Sequence, residues 1–418
     1  MKITEDVLYI GVQDHDIRLF ERQYPVPFGM AYNSYLIKDE KVAVLDTCDV
    51  RMATEWKAGL AAALEGSKPD YLVMHHMEPD HSALALQMLE EFPEMKIVAS
   101  AKAVQMLPQF FEDINIDGRT VVVKEGDTLA LGRHTLRFMM APMVHWPEVM
   151  VSYDEASRTL FSADAFGSFG TLDQQEDDWA CEARRYYFNI CGKYGTPVQI
   201  LLRKAGALAI ERICPLHGPV LVDNFMTNAE NVLTAKDKEV STGFEGVGER
   251  YMADDKPVSF YLGLYDTWSR YEAEKQGVFV GYASIHGGTK DVAEHFAQIL
   301  RDKGVKVCLM DLTEEEVSFA VEDAFAYGRA VFAASSYDAG LFPPMYNLLH
   351  HLQIKNWQKK RVGLIENGSW APSAGKVMHE MLEAMKDVEI VEPMVTIRSR
   401  MKEADMDVLG KLAEEMMK

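Results

Sequence analysis

The segment His76-Met77-Glu78-Pro79-Asp80-His81 constrains this chain more than any other, because it packs four candidate metal ligands of two chemical kinds into six residues. It lies between the apolar, strand-like run Tyr71-Leu72-Val73-Met74 and a helix-like run from Ala83 to Glu91. The ligands are therefore expected on a strand-to-helix loop, held by rigid flanks of the kind that usually carry functional sites. Whatever the fold, it must bring other donors to that strand end.

Three later residues supply them. His145 in Val144-His145-Trp146-Pro147, Asp164 in Phe161-Ser162-Ala163-Asp164 and His217 in Cys214-Pro215-Leu216-His217-Gly218 each follow an apolar run that reads as a strand. Seven donors (His76, Glu78, Asp80, His81, His145, Asp164, His217) are too many for one tetrahedral ion and suit two adjacent metals that share Asp164 as a bridge. Taken singly, His145 or His217 would more often be an ordinary buried or surface histidine; the density of the cluster reverses those odds. His75 alternates to the opposite side of an extended chain from His76 and reads as packing or as support behind the ligands. Three carboxylates mixed with four imidazoles favour non-haem iron, and ligand type alone leaves zinc and manganese open.

The C-terminal third carries a different pattern. Val278-Phe279-Val280-Gly281-Tyr282-Ala283 is a short apolar strand, followed by Ser284-Ile285-His286-Gly287-Gly288-Thr289-Lys290 and a helix pattern through Leu300. Hydroxyls and glycines between a strand and a helix N-terminus form a phosphate cradle, since backbone donors and the helix dipole point at the anion. Two more apolar strands lead into polar loops. Val331 to Ala334 precedes Ser335, Ser336, Tyr337, Asp338, Ala339 and Gly340, and Val362 to Ile365 precedes Glu366, Asn367, Gly368, Ser369 and Trp370. Any one of these is most simply a plain strand-to-helix turn, but three in order match the flavodoxin way of holding FMN outside the strand carboxyl ends.

With both halves read, the chain resembles the flavodiiron proteins, or A-type flavoproteins, over essentially all of its 418 residues. The metal motif is specific. Glu78 stands where metallo-β-lactamase-type hydrolases usually have the second histidine of His-x-His-x-Asp-His, and eighteen residues lie between His145 and Asp164, as in the family pattern. The resemblance implies an α/β chain: an N-terminal metallo-β-lactamase-like αββα sandwich over residues 1–275 and a C-terminal flavodoxin-like doubly wound parallel sheet over 276–418. It implies that His76, Glu78 and His145 bind one iron, that Asp80, His81 and His217 bind the other, and that Asp164 bridges them. Some members leave the His81 position unligated. Tyr186 resembles a tyrosine that hydrogen-bonds to species at the irons; a packed aromatic on a helix face is the equally weighted reading. In the FMN domain the match is close at Asn367 to Pro372 and Gly340 to Pro343, with two departures: His286 replaces a common tyrosine or threonine, and Ser335 a common proline.

The implied activity is reductive scavenging of O2 to water, of NO to N2O, or both, at two non-haem irons that FMN resupplies with electrons. The five cysteines, Cys48, Cys181, Cys191, Cys214 and Cys308, are scattered and encode neither a disulfide framework nor a rubredoxin-type iron site. An external donor is therefore expected: rubredoxin, a flavoprotein reductase or reduced F420. A head-to-tail homodimer, or a homotetramer built from such dimers, is implied so that one subunit's flavin meets the partner's irons. The net charge is −21, with both domains acidic, which argues against nucleic acid and anionic membrane as partners. The N-terminal residues lack the apolar core of a signal peptide and no stretch could span a bilayer, so a cytoplasmic location is expected. Gly243 to Lys256 reads as a polar connector inside the first domain. The main rival is a metallo-β-lactamase-like dinuclear hydrolase carrying its flavodoxin domain as a passenger, and Glu78 argues against it.

Overall fold

A computed structural model describes residues 1–112, 114–173, 179–222 and 256–418. The expected connector over 243–256 therefore lies outside the described residues except for Lys256. The chain divides into two compact units, residues 1–187 with 196–265, and residues 188–195 with 266–418. The ten residues ahead of position 276 thus pack with the second unit.

The first unit is built on two six-stranded sheets. One runs in the order Val7–Tyr9, Tyr35–Ile37, Ala43–Leu45, Tyr71–Met74, Lys96–Ser100, Thr120–Val123, and the other Thr128–Ala130, Thr135–Met140, Met150–Asp154, Thr159–Phe161, Arg212–Cys214, Leu221–Val222. Their inner faces share one core, in which Tyr35, Leu45, Val73 and Val98 meet Leu136, Phe138, Met150 and Phe161. The rings of Tyr35 and Phe161 lie 5.4 Å apart across it. Each such fully buried side chain contributes about 1.5–3 kcal/mol, so the sandwich is a stiff frame for the loops at its edge.

Parallel pairing decides which loops meet. Ala43–Leu45, Tyr71–Met74 and Lys96–Ser100 pair in parallel, so Asp46, His75 and His76 leave the sheet at the same end. In the second sheet Thr159–Phe161 and Arg212–Cys214 are likewise parallel, which sends the Asp164 and His217 loops off one end together. Asn33 ties the His217 loop down, donating its side-chain N–H groups to the carbonyls of Pro215 at 2.8 Å and Gly218 at 2.7 Å. Gly218 has φ +74°, and a Cβ there would fall 2.1 Å from Ser168 Oγ, so this turn needs glycine.

The second unit is a doubly wound sheet in the order Val307–Asp311, Val278–Ala283, Arg329–Tyr337, Lys360–Asn367, Val388–Ile390, with all four of these pairings parallel. In chain order this is 2-1-3-4-5, the flavodoxin arrangement, which presents its ligand crevice at the carboxyl ends of the strands. On one face of this sheet Val280, Val331, Ala333 and Ile365 pack against Val292, Phe296 and Leu300 of the helix Gly288–Asp302.

Three sequence expectations need correction in detail. The ligand segment is not wholly a loop: Pro79 starts a one-turn helix, Pro79–Ser82, that carries Asp80 and His81, because proline is pre-organised for the first helical position. The helix expected from Ala83 accordingly begins at Ala85. Ser335 to Tyr337 and Asn367 extend their strands, and Asp338 and Ala339, with φ of +47° and +57°, form the two-residue turn of a hairpin that pairs Tyr337 with Gly340.

Candidate metal centre

All seven expected donors converge at one edge of the sandwich, and they do so as two groups: His76, Glu78, His145 and Asp164, and Asp80, His81 and His217. In the first group His145 Nε2 is 3.1 Å from Glu78 Oε2, 3.0 Å from Asp164 Oδ2 and 3.3 Å from His76 Nε2. His76 Nε2 is 3.2 Å from Glu78 Oε2. In the second, His81 Nε2 is 3.0 Å from His217 Nε2 and 3.4 Å from Asp80 Oδ2, and His217 Nε2 is 3.3 Å from the same oxygen. Asp164 joins the two, since its Oδ2 faces the first group and its Oδ1 lies 3.2 Å from His81 and 3.8 Å from His217.

These spacings test whether the residues fit metal ions. Two donors that each sit about 2.1 Å from one cation are separated by about 3.0 Å at a right angle and about 3.4 Å at the tetrahedral angle. The observed separations within each group are those of such polyhedron edges. Imidazole nitrogens facing one another, and the buried Asp80 oxygens and Asp164 Oδ1, which have no hydrogen-bond partner among the described residues, are otherwise unfavourable. A cation in each group would satisfy them.

Electrostatics point the same way. Burial resists charge on His76, but the Asp164, Glu148 and Glu78 carboxylates outweigh it and hold the imidazole well above its ordinary pKa. His145 is likewise pushed up to about 9 against its burial, by Asp164 and Glu78. Burial would raise Asp164, yet the surrounding histidines His76, His81 and His145 keep it well below the usual carboxylate range. The three carboxylates thus favour positive charge among these imidazoles, which divalent cations would supply.

A supporting layer holds the ligands. His76 Nδ1 bonds to Glu148 Oε1 at 2.8 Å, and the same oxygen accepts from the Met77 amide at 2.9 Å. His217 Nδ1 donates to the Ala31 carbonyl at 2.7 Å. His75 stays out of both groups; its ring bridges Asp46 at 2.6 Å and Ser152 at 2.7 Å, while Asp46 also accepts its backbone amide. Tyr186, on the helix Trp179–Ile190, is fully buried with its ring 5.5 Å from that of His217. Glu148, Asp46 and Asn33 are not among the residues that type and spacing mark in the sequence. Only Glu148 left a signal, an acid three residues after a ligand histidine.

The loops expected to hold flavin gather at the carboxyl ends of the second unit's strands. Gly287, at φ +85°, accepts the turn into the helix Gly288–Asp302, and its amide donates to Ser284 Oγ at 3.1 Å. His286 and Gly288 complete that loop, where a Cβ on Gly288 would fall 2.2 Å from the Ser399 carbonyl. Thr289 Oγ1 lies 2.8 Å from Ser335 Oγ on the neighbouring strand. Ser336 Oγ accepts the amides of Ser373 and Ala374, and Asn367 exchanges two 3.0 Å hydrogen bonds with Ser399. Ser399 Oγ also donates to Ser369 at 2.7 Å, so the loop beyond Ile397, absent from the sequence reading, braces the site. Gly368 is followed by Trp370, 88 % exposed, and Tyr337 is 46 % exposed beside the Asp338-Ala339-Gly340 turn. Exposed aromatics at a strand-end crevice are suited to stacking on a planar ring.

Comparison with known proteins follows the same division. Residues 30–218 match the family described as ODP family beta lactamase, and residues 280–408 match the flavodoxin family. Among curated relatives, the rubredoxin-oxygen oxidoreductase of Megalodesulfovibrio gigas is 26 % identical over 421 residues, covering 99 % of this chain and 96 % of its own. The nitric oxide reductase of Moorella thermoacetica is 26 % identical over 406 residues, covering 95 % and 92 %. The crystal structure of the flavodiiron protein from Giardia intestinalis shares the fold, with a TM-score of 0.81 and 21 % identity over 99 % of this chain and 95 % of that one.

Proposed function

We propose that this chain, which belongs to the flavodiiron (A-type flavoprotein) family, is an oxidoreductase that reduces O2 to water, NO to N2O, or both, at a dinuclear iron centre resupplied by FMN. The single observation that carries the reading is Asp164, whose two carboxylate oxygens each face a separate group of donors. His76, Glu78 and His145 would hold one iron, Asp80, His81 and His217 the other, with Asp164 between them. A hydrolase does not need the third carboxylate, Glu78, and the relatives named above are oxidoreductases.

Bound there, two irons would supply electrons to a small diatomic, and FMN would resupply them one at a time. The chain's own residues do the rest. The carboxylates of Glu78, Asp80 and Asp164 offset the cationic charge, and Glu148 and the Ala31 carbonyl orient the imidazoles of His76 and His217. The burial of His76, His81 and Asp164 keeps bulk water away from the reacting centre. Tyr186 would lend its hydroxyl to species at the centre, on the strength of its packing against His217.

In the second domain, taken to begin near residue 276, Ser284, His286, Gly287, Gly288 and Thr289 would cradle the FMN phosphate at a helix N-terminus. Ser335 to Gly340 and Asn367 to Trp370 would hold the ring, with Tyr337 and Trp370 as its aromatic partners. Electrons would come from a separate donor, for which rubredoxin, a flavoprotein reductase and reduced F420 are the candidates, and a head-to-tail homodimer or homotetramer would bring flavin to iron. No helix among the described residues is long and apolar enough to cross a membrane. The decisive experiment reduces the protein anaerobically and follows single-turnover reoxidation by O2 and by NO. A protein that carries zinc, cleaves esters and is not reoxidised by either gas would overturn the reading.

A further inference from the structure

The two halves of the centre offer the same donors: two imidazoles, one carboxylate of their own and one oxygen of Asp164. What differs is what stands behind the imidazoles. His76 Nδ1 faces the carboxylate of Glu148 at 2.8 Å, with both side chains fully buried, and that carboxylate is fixed by the Met77 amide. In the other half, His217 donates to a neutral carbonyl, and His81 Nδ1 is buried with no hydrogen-bond partner among the described residues. A carboxylate behind an imidazole fixes its tautomer and raises the basicity of the opposite nitrogen, whereas a neutral carbonyl does so more weakly and a ring with no acceptor behind it gains neither effect.

We propose that Glu148 is a positioning residue that makes the two metal positions unequal, so that the His76–Glu78–His145 position holds its cation more tightly and the Asp80–His81–His217 position empties first. The proposal rests on the dinuclear reading above and adds an order to it. Asp164 offers one oxygen to each group, so the kind of donor it supplies does not distinguish them.

The test uses the full-length protein loaded anaerobically with ferrous iron and then exposed to a chelator. Iron per chain is followed by elemental analysis, and crystals frozen at half depletion are measured at the iron absorption edge to read each position's occupancy. Depletion should pause near one iron per chain, with the remaining density beside His145. Glu148→Gln keeps the size and an acceptor oxygen but loses the charge, and should weaken iron binding at that position about 10–100-fold, so that it no longer outlasts the other, whose affinity should stay unchanged. FMN content of the variant serves as a control for folding. Simultaneous loss from both positions of the unaltered protein, retention at the Asp80 side, or an equal effect of Glu148→Gln on both positions would each overturn the proposal. Uptake of no iron at either position would overturn the dinuclear reading itself.

Discussion

Replacing Asp164 with alanine is the sharpest challenge to the bridge. The side chain is 1 % exposed, and its two oxygens approach His145 and His81 at 3.0 and 3.2 Å, so its removal takes one donor from each position at once. It also removes one of the three carboxylates that would offset the charge of two divalent cations. At about 4 Å and an effective dielectric constant of about 20, two unit charges repel by about 4 kcal/mol, and two divalent ions by roughly four times that. Even a supporting carboxylate is worth about 10–100-fold in metal affinity, or about 1.4–2.7 kcal/mol, and a ligand shared by two ions should exceed that at both. Iron measured by elemental analysis after a chelator wash that leaves the unaltered protein near two per chain should therefore fall close to zero in Asp164→Ala, with FMN unchanged. His81→Ala takes a donor from one position only and should keep close to one iron. A washed Asp164→Ala protein that retained one tightly bound iron would show that Asp164 serves a single ion, and the bridge would be refuted.

Flavin released by denaturation should have the mass of FMN and not FAD, and Gly288→Ala, whose new Cβ would meet the Ser399 carbonyl, should lower flavin per chain while leaving iron content intact. Trp370→Ala removes an 88 % exposed ring, so its thermal midpoint in the flavin-free protein should shift by less than corresponds to about 0.5 kcal/mol. Its flavin dissociation constant, measured by fluorescence titration, should nevertheless rise; an unchanged value would remove Trp370 from the flavin site. Co-expression of a His76→Ala, Asp164→Ala double variant with a variant unable to bind FMN should restore gas reduction in verified heterodimers, and inactive heterodimers would exclude transfer across the subunit interface.

The legible parts of this chain were those where a chemical requirement leaves a residue in the sequence. Metal needs donors, so His76 to His81, His145, Asp164 and His217 stood out by type and spacing, and the structure gathers all seven. A phosphate needs backbone donors at a helix N-terminus, so Gly287 and Gly288 stood out as well. What the sequence hid were contacts made by ordinary residues to backbone. Asn33 reaches across more than 180 positions to the Pro215 and Gly218 carbonyls, and no local pattern marks an asparagine for that task. Ser399 is equally plain, one serine after a short strand. Its bonds to Asn367 and Ser369 exist only because the last strand, Val395–Ile397, pairs beside Lys360–Asn367.

The same distinction explains why the donor set was easier to read than its asymmetry. Two groups of three ligands around a shared aspartate look equivalent when listed by residue type, and symmetric chemistry would be the natural inference. Glu148 breaks the equivalence from behind, by accepting a hydrogen bond from the far nitrogen of His76, where the other half sets the Ala31 carbonyl behind His217. A carbonyl acceptor leaves no trace in residue identity, since every residue carries one. The difference between the two positions is therefore a property of the fold, which places the turn after Met140 beside one imidazole and the strand Met30–Tyr32 beside another. Substitution at position 148 should consequently alter the balance of the centre without changing which residues hold it.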